Sequence, residues 1–100
     1  MREVTDTEGR RIGLRQMTAL DKLRLFKAAG PALSRNEPWL GMALLACHVC
    51  EIDGVPIPAP ADERGIEALV ARLGDAGLAA IAGALAPEPD ARDVAASAKN

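Results

Sequence analysis

The sequence predicts an α+β fold that is mainly α, with an N-terminal β-hairpin, about four short helices, and a small hairpin-like arm between helices two and three. Three observations support this class. Apolar residues near the N-terminus alternate with polar ones, as in half-buried strands. Farther along, apolar residues recur at helical spacing behind residues that cap helix N-termini. Between these helical stretches, an Asp-Gly pair and several prolines interrupt the pattern.

The N-terminal hairpin is predicted from alternation on both sides of a turn. Val4 precedes the turn, and Ile12 and Leu14 follow it, each between polar or small neighbours. Asp6 and Gly9 suit the two ends of a tight turn. These residues therefore predict two short paired strands.

The first helix is predicted to begin at Thr18, which has Asp21 three residues later in a variant of the capping box. Gly30 and Pro31 are expected to end it, because glycine suits the left-handed position and proline prevents continuation. Its apolar residues recur at helical spacing and are expected to face the core: Leu20, Leu23 and Phe26. Its basic residues are expected to face outward: Lys22, Arg24 and Lys27.

The second helix is predicted to begin at Asn36, with Glu37 and Pro38 in its first turn. Nearly every residue over 39–50 is apolar or small, and a helix that is apolar on all sides is buried on all sides. We therefore expect a central helix that ends near Glu51.

The arm and the last two helices follow. Asp53-Gly54 predicts a tight turn, with Val55 and Ile57 on one face of the arm, and the prolines beyond it exclude a central strand. Asp62 is expected to cap a third helix, Gly74 to end it, and Asp75 to cap a fourth. Their apolar residues lie at helical spacing: Ile66, Leu69, Val70 and Leu73, then Leu78, Ile81, Ala82 and Leu85. We expect one domain over 1–86 and a disordered tail over 87–100, which lacks large apolar residues.

Composition argues against nucleic-acid binding. Aromatic residues make up 2% of the chain, too few for a base-stacking platform. If the last two helices formed a helix-turn-helix, the recognition helix over 76–86 would contain no Arg, Lys, Asn or Gln to read bases.

The charge is segregated along the chain. Residues 1–39 carry eight Lys/Arg and five Asp/Glu, whereas residues 40–100 carry four Lys/Arg and nine Asp/Glu. Three explanations of this split are open: it steers a partner, it favours head-to-tail self-association, or it is ordinary solvated surface charge.

No residue set predicts catalysis, a metal or a cofactor. Cys47, His48 and Cys50 resemble a metal site, but a structural zinc needs four ligands and the chain has no other Cys or His. We interpret the cysteines as small core residues and expect no enzymatic activity. Paired carboxylates such as Glu63 and Glu67 are explained by a solvated helix face.

The predicted compartment is the cytoplasm. The first ten residues contain no apolar segment typical of a secretion signal. The longest apolar run, over 39–47, is shorter than the ~20 residues that a membrane-spanning helix requires. Two cysteines in such a protein are expected to remain thiols.

The order of these features resembles that of the small tail assembly chaperones of long-tailed bacteriophages and prophages, over residues 3–85. The resemblance depends on LDKLRL followed by Gly30, on WLG at the start of the apolar helix, and on IDGVP in the arm. It implies a non-catalytic protein of the host bacterial cytoplasm that binds the tape measure protein while the tail tube assembles around it. The family offers no catalytic residues to transfer.

Candidate partner-binding residues are Trp39, Val55 and Ile57, which are more apolar than their places in the chain require. Each has a structural alternative, since Trp39 can belong to the core and Val55 and Ile57 can pack over the helices. A second functional interpretation is a minor structural or connector protein that stays in the phage particle. A small DNA-binding regulator is a third, which the acidic C-terminal half disfavours.

Overall fold

A computed structural model describes residues 2–86, which form four strands and three helices. The predicted class, α+β and mainly α with an N-terminal hairpin, is confirmed, but the helices number three rather than about four. The predicted disordered tail over 87–100 lies outside the described residues. The elements in chain order are β1 Arg2–Thr5, β2 Arg11–Leu14, α1 Ala19–Leu33, α2 Glu37–Cys47, β3 Val49–Ile52, β4 Val55–Pro56 and α3 Glu63–Leu85.

The two predicted hairpins join into one antiparallel sheet in the order β1-β2-β3-β4. Ile12 of β2 is opposite Val4 on one side and Ile52 on the other. The β3–β4 turn has positive φ at both Asp53 and Gly54, as a tight hairpin turn requires. The Asp53 carboxylate also accepts a hydrogen bond from the Arg11 backbone N–H at 2.8 Å, which ties this turn to β2.

Helix α1 begins with the predicted capping box, in which Thr18 and Asp21 exchange hydrogen bonds. Its orientation differs from the prediction, because Leu25 and Ala29 are the buried residues. Leu20, Leu23 and Phe26 instead face solvent. The helical backbone is interrupted at Gly30, which has φ 83°, and one further turn follows. The expected end at Gly30-Pro31 is therefore a kink.

Helix α2 begins at the predicted cap, where the Asn36 side chain accepts from the Trp39 backbone N–H at 3.1 Å. It ends at Cys47 rather than near Glu51, because Val49–Ile52 pairs with β2 as strand β3. The expectation of burial on all sides is also wrong. Ala43, Ala46 and Cys47 are buried, whereas the Met42 side chain is 45% exposed.

Helix α3 contains both of the segments predicted as helices three and four. Asp62 caps it by accepting from the Gly65 backbone N–H at 2.8 Å. At Gly74 the backbone leaves the helical region, with φ 63° and ψ −173°, and then resumes the helix at once. Because no loop separates the two segments, they form one kinked helix instead of a helical hairpin.

The core consists of two clusters that share α3. Nine buried residues lie where the sheet meets α2 and α3: Ile12, Leu14, Ala46, Val49, Ile52, Leu69, Leu73, Leu78 and Ile81. Five lie among the helices: Met17, Leu25, Ala43, Cys47 and Ile66. Residues 2–86 form a compact globule in which α3 contributes to both clusters.

Within the described part of the chain, α3 is the single helix long and apolar enough to cross a membrane. Core helices of soluble proteins meet the same criterion, and α3 has Ile66, Leu73 and Ile81 inside the globule. Their core position accounts for part of its apolar character.

Candidate protein-binding surfaces

Three of the six exposed large apolar side chains among residues 2–86 belong to α1. Leu20 is 53% exposed, Leu23 is 64% exposed and Phe26 is 43% exposed. At about 100° per residue they span an arc of about 120°, centred on Leu23 and roughly opposite Leu25. We call these three residues the α1 stripe. Their helical spacing predicted a core position, but α1 carries two apolar faces, and spacing alone does not show which one is buried.

Positive charge lies beside and within the α1 stripe: Lys22 and Arg24 lie at its two edges, and Lys27 lies within its arc, one turn beyond Leu23. Lys22, Arg24 and Lys27 are all exposed. The one acidic residue of α1, Asp21, lies on another side of the helix and pairs with Arg15 at 3.0 Å. The pKa of Asp21 is lowered to about 2 by the hydrogen bond from the Thr18 backbone, and then by hydrogen bonds from Arg15 and the Thr18 side chain. Asp21 is therefore ionised, and its negative charge is paired with the positive charge of Arg15. It does not offset the positive charge beside the stripe.

Trp39 forms one wall of a groove between α2 and α3. The indole Nε1 donates a hydrogen bond to Glu67 Oε2 at 3.1 Å, which fixes the half-buried ring. The groove has a volume of about 250 Å³, and apolar side chains form most of its lining, which comprises Trp39, Met42, Ala43, Ile66, Glu67, Val70 and Ala71. The space is large enough for one apolar side chain of a partner.

Val55 and Ile57 line a different groove, of about 350 Å³, together with prolines of the arm and residues of α3. Val55 is 54% exposed, whereas Ile57 is half-buried against the sheet-side core. Leu69 and Arg72 of α3 also line this groove. They lie on the opposite flank of α3 from the residues that face Trp39. The structure therefore does not bring the three predicted residues together at one site.

The cysteines and the histidine occupy structural positions. Cys47 is buried, and that burial raises the pKa of its thiol, although nearby Arg15 opposes the shift. His48 Nδ1 lies 2.7 Å from the Leu44 carbonyl oxygen, and the Cys50 thiol donates to the Gly13 carbonyl at 3.5 Å. Over residues 2–86, no three His, Cys, Asp or Glu side chains are grouped so that they could hold a metal ion.

Asp6 is the one charged residue that is buried among residues 2–86. Its carboxylate accepts from the backbone N–H groups of Glu8 and Arg10, both at 2.9 Å, and from Arg10 Nε at 2.8 Å. Burial raises the pKa of this carboxyl, but these hydrogen bonds and the Arg10 charge together lower it. An ionised carboxylate with this many donors organises the β1–β2 turn and is unsuited to proton transfer.

Comparison with known proteins gives no relative: no protein-family model, no curated protein and no solved structure matches the chain.

Proposed function

We propose that the protein is a phage or prophage tail assembly chaperone that binds the tape measure protein before the tail is complete. The order of sequence features supports this function, and so does the α1 stripe. An assembly chaperone must keep a hydrophobic surface available in water until its client arrives. Leu20, Leu23 and Phe26 form such an exposed apolar surface on helix α1.

The proposed activity is non-catalytic and takes place in the host bacterial cytoplasm. Tape measure proteins are long, helical and rich in apolar stretches, as the resemblance implies. A helical surface with protruding leucines can cover such stretches by helix-to-helix packing. The grooves beside Trp39 and beside Val55 and Ile57 offer further contact area on either flank of α3.

The test is co-expression of this chain with the tape measure protein encoded near it, followed by affinity capture and sizing of the complex. We expect co-elution and a larger soluble fraction of the client. Leu23→Asp should reduce capture, whereas the protein should retain its circular dichroism spectrum and melting temperature because Leu23 is outside the core.

A folded, stable chain that fails to capture the client would contradict the chaperone function. The minor structural or connector protein would then be the better interpretation. Mass spectrometry of purified virions separates the two, because a structural component is present in the finished particle whereas a chaperone need not be.

A further inference from the structure

The α1 stripe lies along a helix-packing seam that also includes Ala19. Ala19, Leu23 and Phe26 are separated by four and then three residues, which matches successive core positions of a heptad. Ala19 is exposed like its two neighbours in the seam. Leu20 lies alongside and widens the apolar surface. A second helix can therefore lie along α1 with its own apolar seam against these residues.

The residues that flank this seam are basic on both sides. In this heptad register, Lys22 and Lys27 occupy the two kinds of flanking position that face a partner helix. Arg24 lies farther around the helix on the same side as Lys27. Flanking positions select partners by charge, because they pair across the interface. Within α1, no acidic side chain lies near this seam to balance them.

Basic side chains of α1 border a groove on each flank of the helix. Lys22 borders a groove of about 480 Å³ together with Arg2, over a floor that includes Leu14 and Met17. On the other flank, Arg24 and Lys27 border a second groove of about 480 Å³, whose opposite wall over residues 59–62 includes Asp62, the carboxylate that caps α3. Carboxylates of a bound helix would therefore meet basic side chains on either side of the seam.

We propose that the α1 stripe binds an amphipathic helix of another protein in which Asp or Glu residues flank the apolar seam. This partner class specifies the client segment and in that respect depends on the proposed function. Pairing with α1 of a second copy does not fit. In a parallel pair, Lys22 of one copy would face Lys27 of the other. In an antiparallel pair, each lysine would face the same lysine of the other copy. Both arrangements place like charges together.

The test uses the full chain and two synthetic helical peptides with the same leucine seam, one flanked by glutamates and the other by lysines. Fluorescence anisotropy measures the Kd of each. At low salt we expect the glutamate peptide to bind about ten-fold or more tightly than the lysine peptide. The ratio should fall as salt is raised, because the flanking charges are exposed. Equal affinity for both peptides would overturn the proposal.

Matched variants locate the site. Leu23→Asp should weaken glutamate-peptide binding at least about ten-fold, whereas Ala79→Asp, at an exposed apolar residue of α3 that lines none of these grooves, should leave it unchanged. The double variant Lys22→Glu/Lys27→Glu should reverse the preference toward the lysine peptide. Circular dichroism and melting curves verify that each variant is folded. Loss of binding in Ala79→Asp but not in Leu23→Asp would contradict the assignment to α1.

Capture of the tape measure protein separates this proposal from the proposed function. If the glutamate peptide binds at α1 but the client is not captured, the surface is correct and the chaperone function is wrong. If the client is captured equally by wild type and by Leu23→Asp, the function stands and the surface is wrong.

Discussion

Arg10 connects the first hairpin to the kink in α3. Its Nε donates to the buried Asp6 carboxylate, and its Nη1 and Nη2 donate to the carbonyl oxygens of Arg72 and Leu73 at 2.8 and 2.6 Å. Those two carbonyls immediately precede Gly74, where the helical hydrogen bonds are interrupted. One guanidinium group therefore satisfies acceptors that the kink would otherwise leave without a partner.

Replacing Arg10 tests this connection. We expect Arg10→Ala to lower the free energy of unfolding by about 2 kcal/mol, since hydrogen bonds to charged groups contribute about 1.5–3 kcal/mol. Urea denaturation followed by circular dichroism measures the change. The adjacent exposed residue provides the control, and Arg11→Ala should change the stability by no more than about 0.5 kcal/mol. Similar losses in both variants would mean that Arg10 has no special role.

The lowered pKa of Asp21 predicts how the stability of the fold depends on pH. Its pKa is about 2 in the folded protein, below the ordinary 3.8, so folding favours the ionised form. The stabilisation is complete above the unfolded value and is lost as pH falls from 3.8 through about 2. Asp21→Asn should melt at a lower temperature than wild type at pH 7, and the difference should narrow as the pH approaches 2. A difference that stays constant over that range would show that the carboxylate charge does not contribute.

At the scale of elements, the kink in α3 depends on one glycine. Gly74 has φ 63° and ψ −173°, a backbone region that is essentially restricted to glycine. No heavy atom lies within 4 Å of the position that a Cβ would occupy, so the constraint is conformational and not steric crowding by neighbours. Gly83, farther along the same helix, has the same open surroundings but ordinary helical backbone.

These two glycines predict opposite effects of one substitution. Gly74→Ala should destabilise the protein by about 1–3 kcal/mol, because alanine is strained in that backbone region. Gly83→Ala should stabilise it by up to about 1 kcal/mol, because alanine has the higher helix propensity. Thermal and urea denaturation of both variants measure the difference. Effects of the same sign would show that the kink is not held by the glycine conformation.

Local signals in the sequence predicted where several elements begin. The side chains of Thr18, Asn36 and Asp62 each accept a backbone hydrogen bond at a helix start, as predicted. The pairing of β2 with β3 was not predicted, because alternation indicates a strand without indicating its neighbour. The same pairing explains why α2 ends at Cys47, since Val49 and Ile52 gain burial and hydrogen bonds in the sheet.

The candidate surfaces were only partly predictable for a related reason. Trp39, Val55 and Ile57 each line a groove, but only the folded chain shows that they lie on opposite flanks of α3. In α1, the stripe and the buried pair Leu25 and Ala29 are both apolar, so the pattern is compatible with either face inward. Which face is buried depends on packing against α2, which is set by tertiary structure.

At the scale of the whole molecule, stability is distributed unevenly. Helix α3 has six buried residues and belongs to both core clusters. Helix α1 has two buried residues, Leu25 and Ala29, and contributes to only the smaller cluster. Opening of α1 alone would expose little apolar surface, so it should require much less free energy than global unfolding. The proposed partner-binding helix is thus the most weakly attached of the three.

Hydrogen exchange measured by mass spectrometry or NMR tests this distribution. Amides over residues 23–29 should exchange about ten-fold or more faster than those over 66–73, because they open without disrupting the sheet-side core. Leu25→Ala should accelerate exchange in α1 with little change in α3. Leu73→Ala should accelerate exchange in both, since Leu73 is fully buried where α3 meets the sheet. Equal protection of α1 and α3 in wild type would show that the protein opens as one cooperative unit, and the partner-binding helix would then be as rigid as the core.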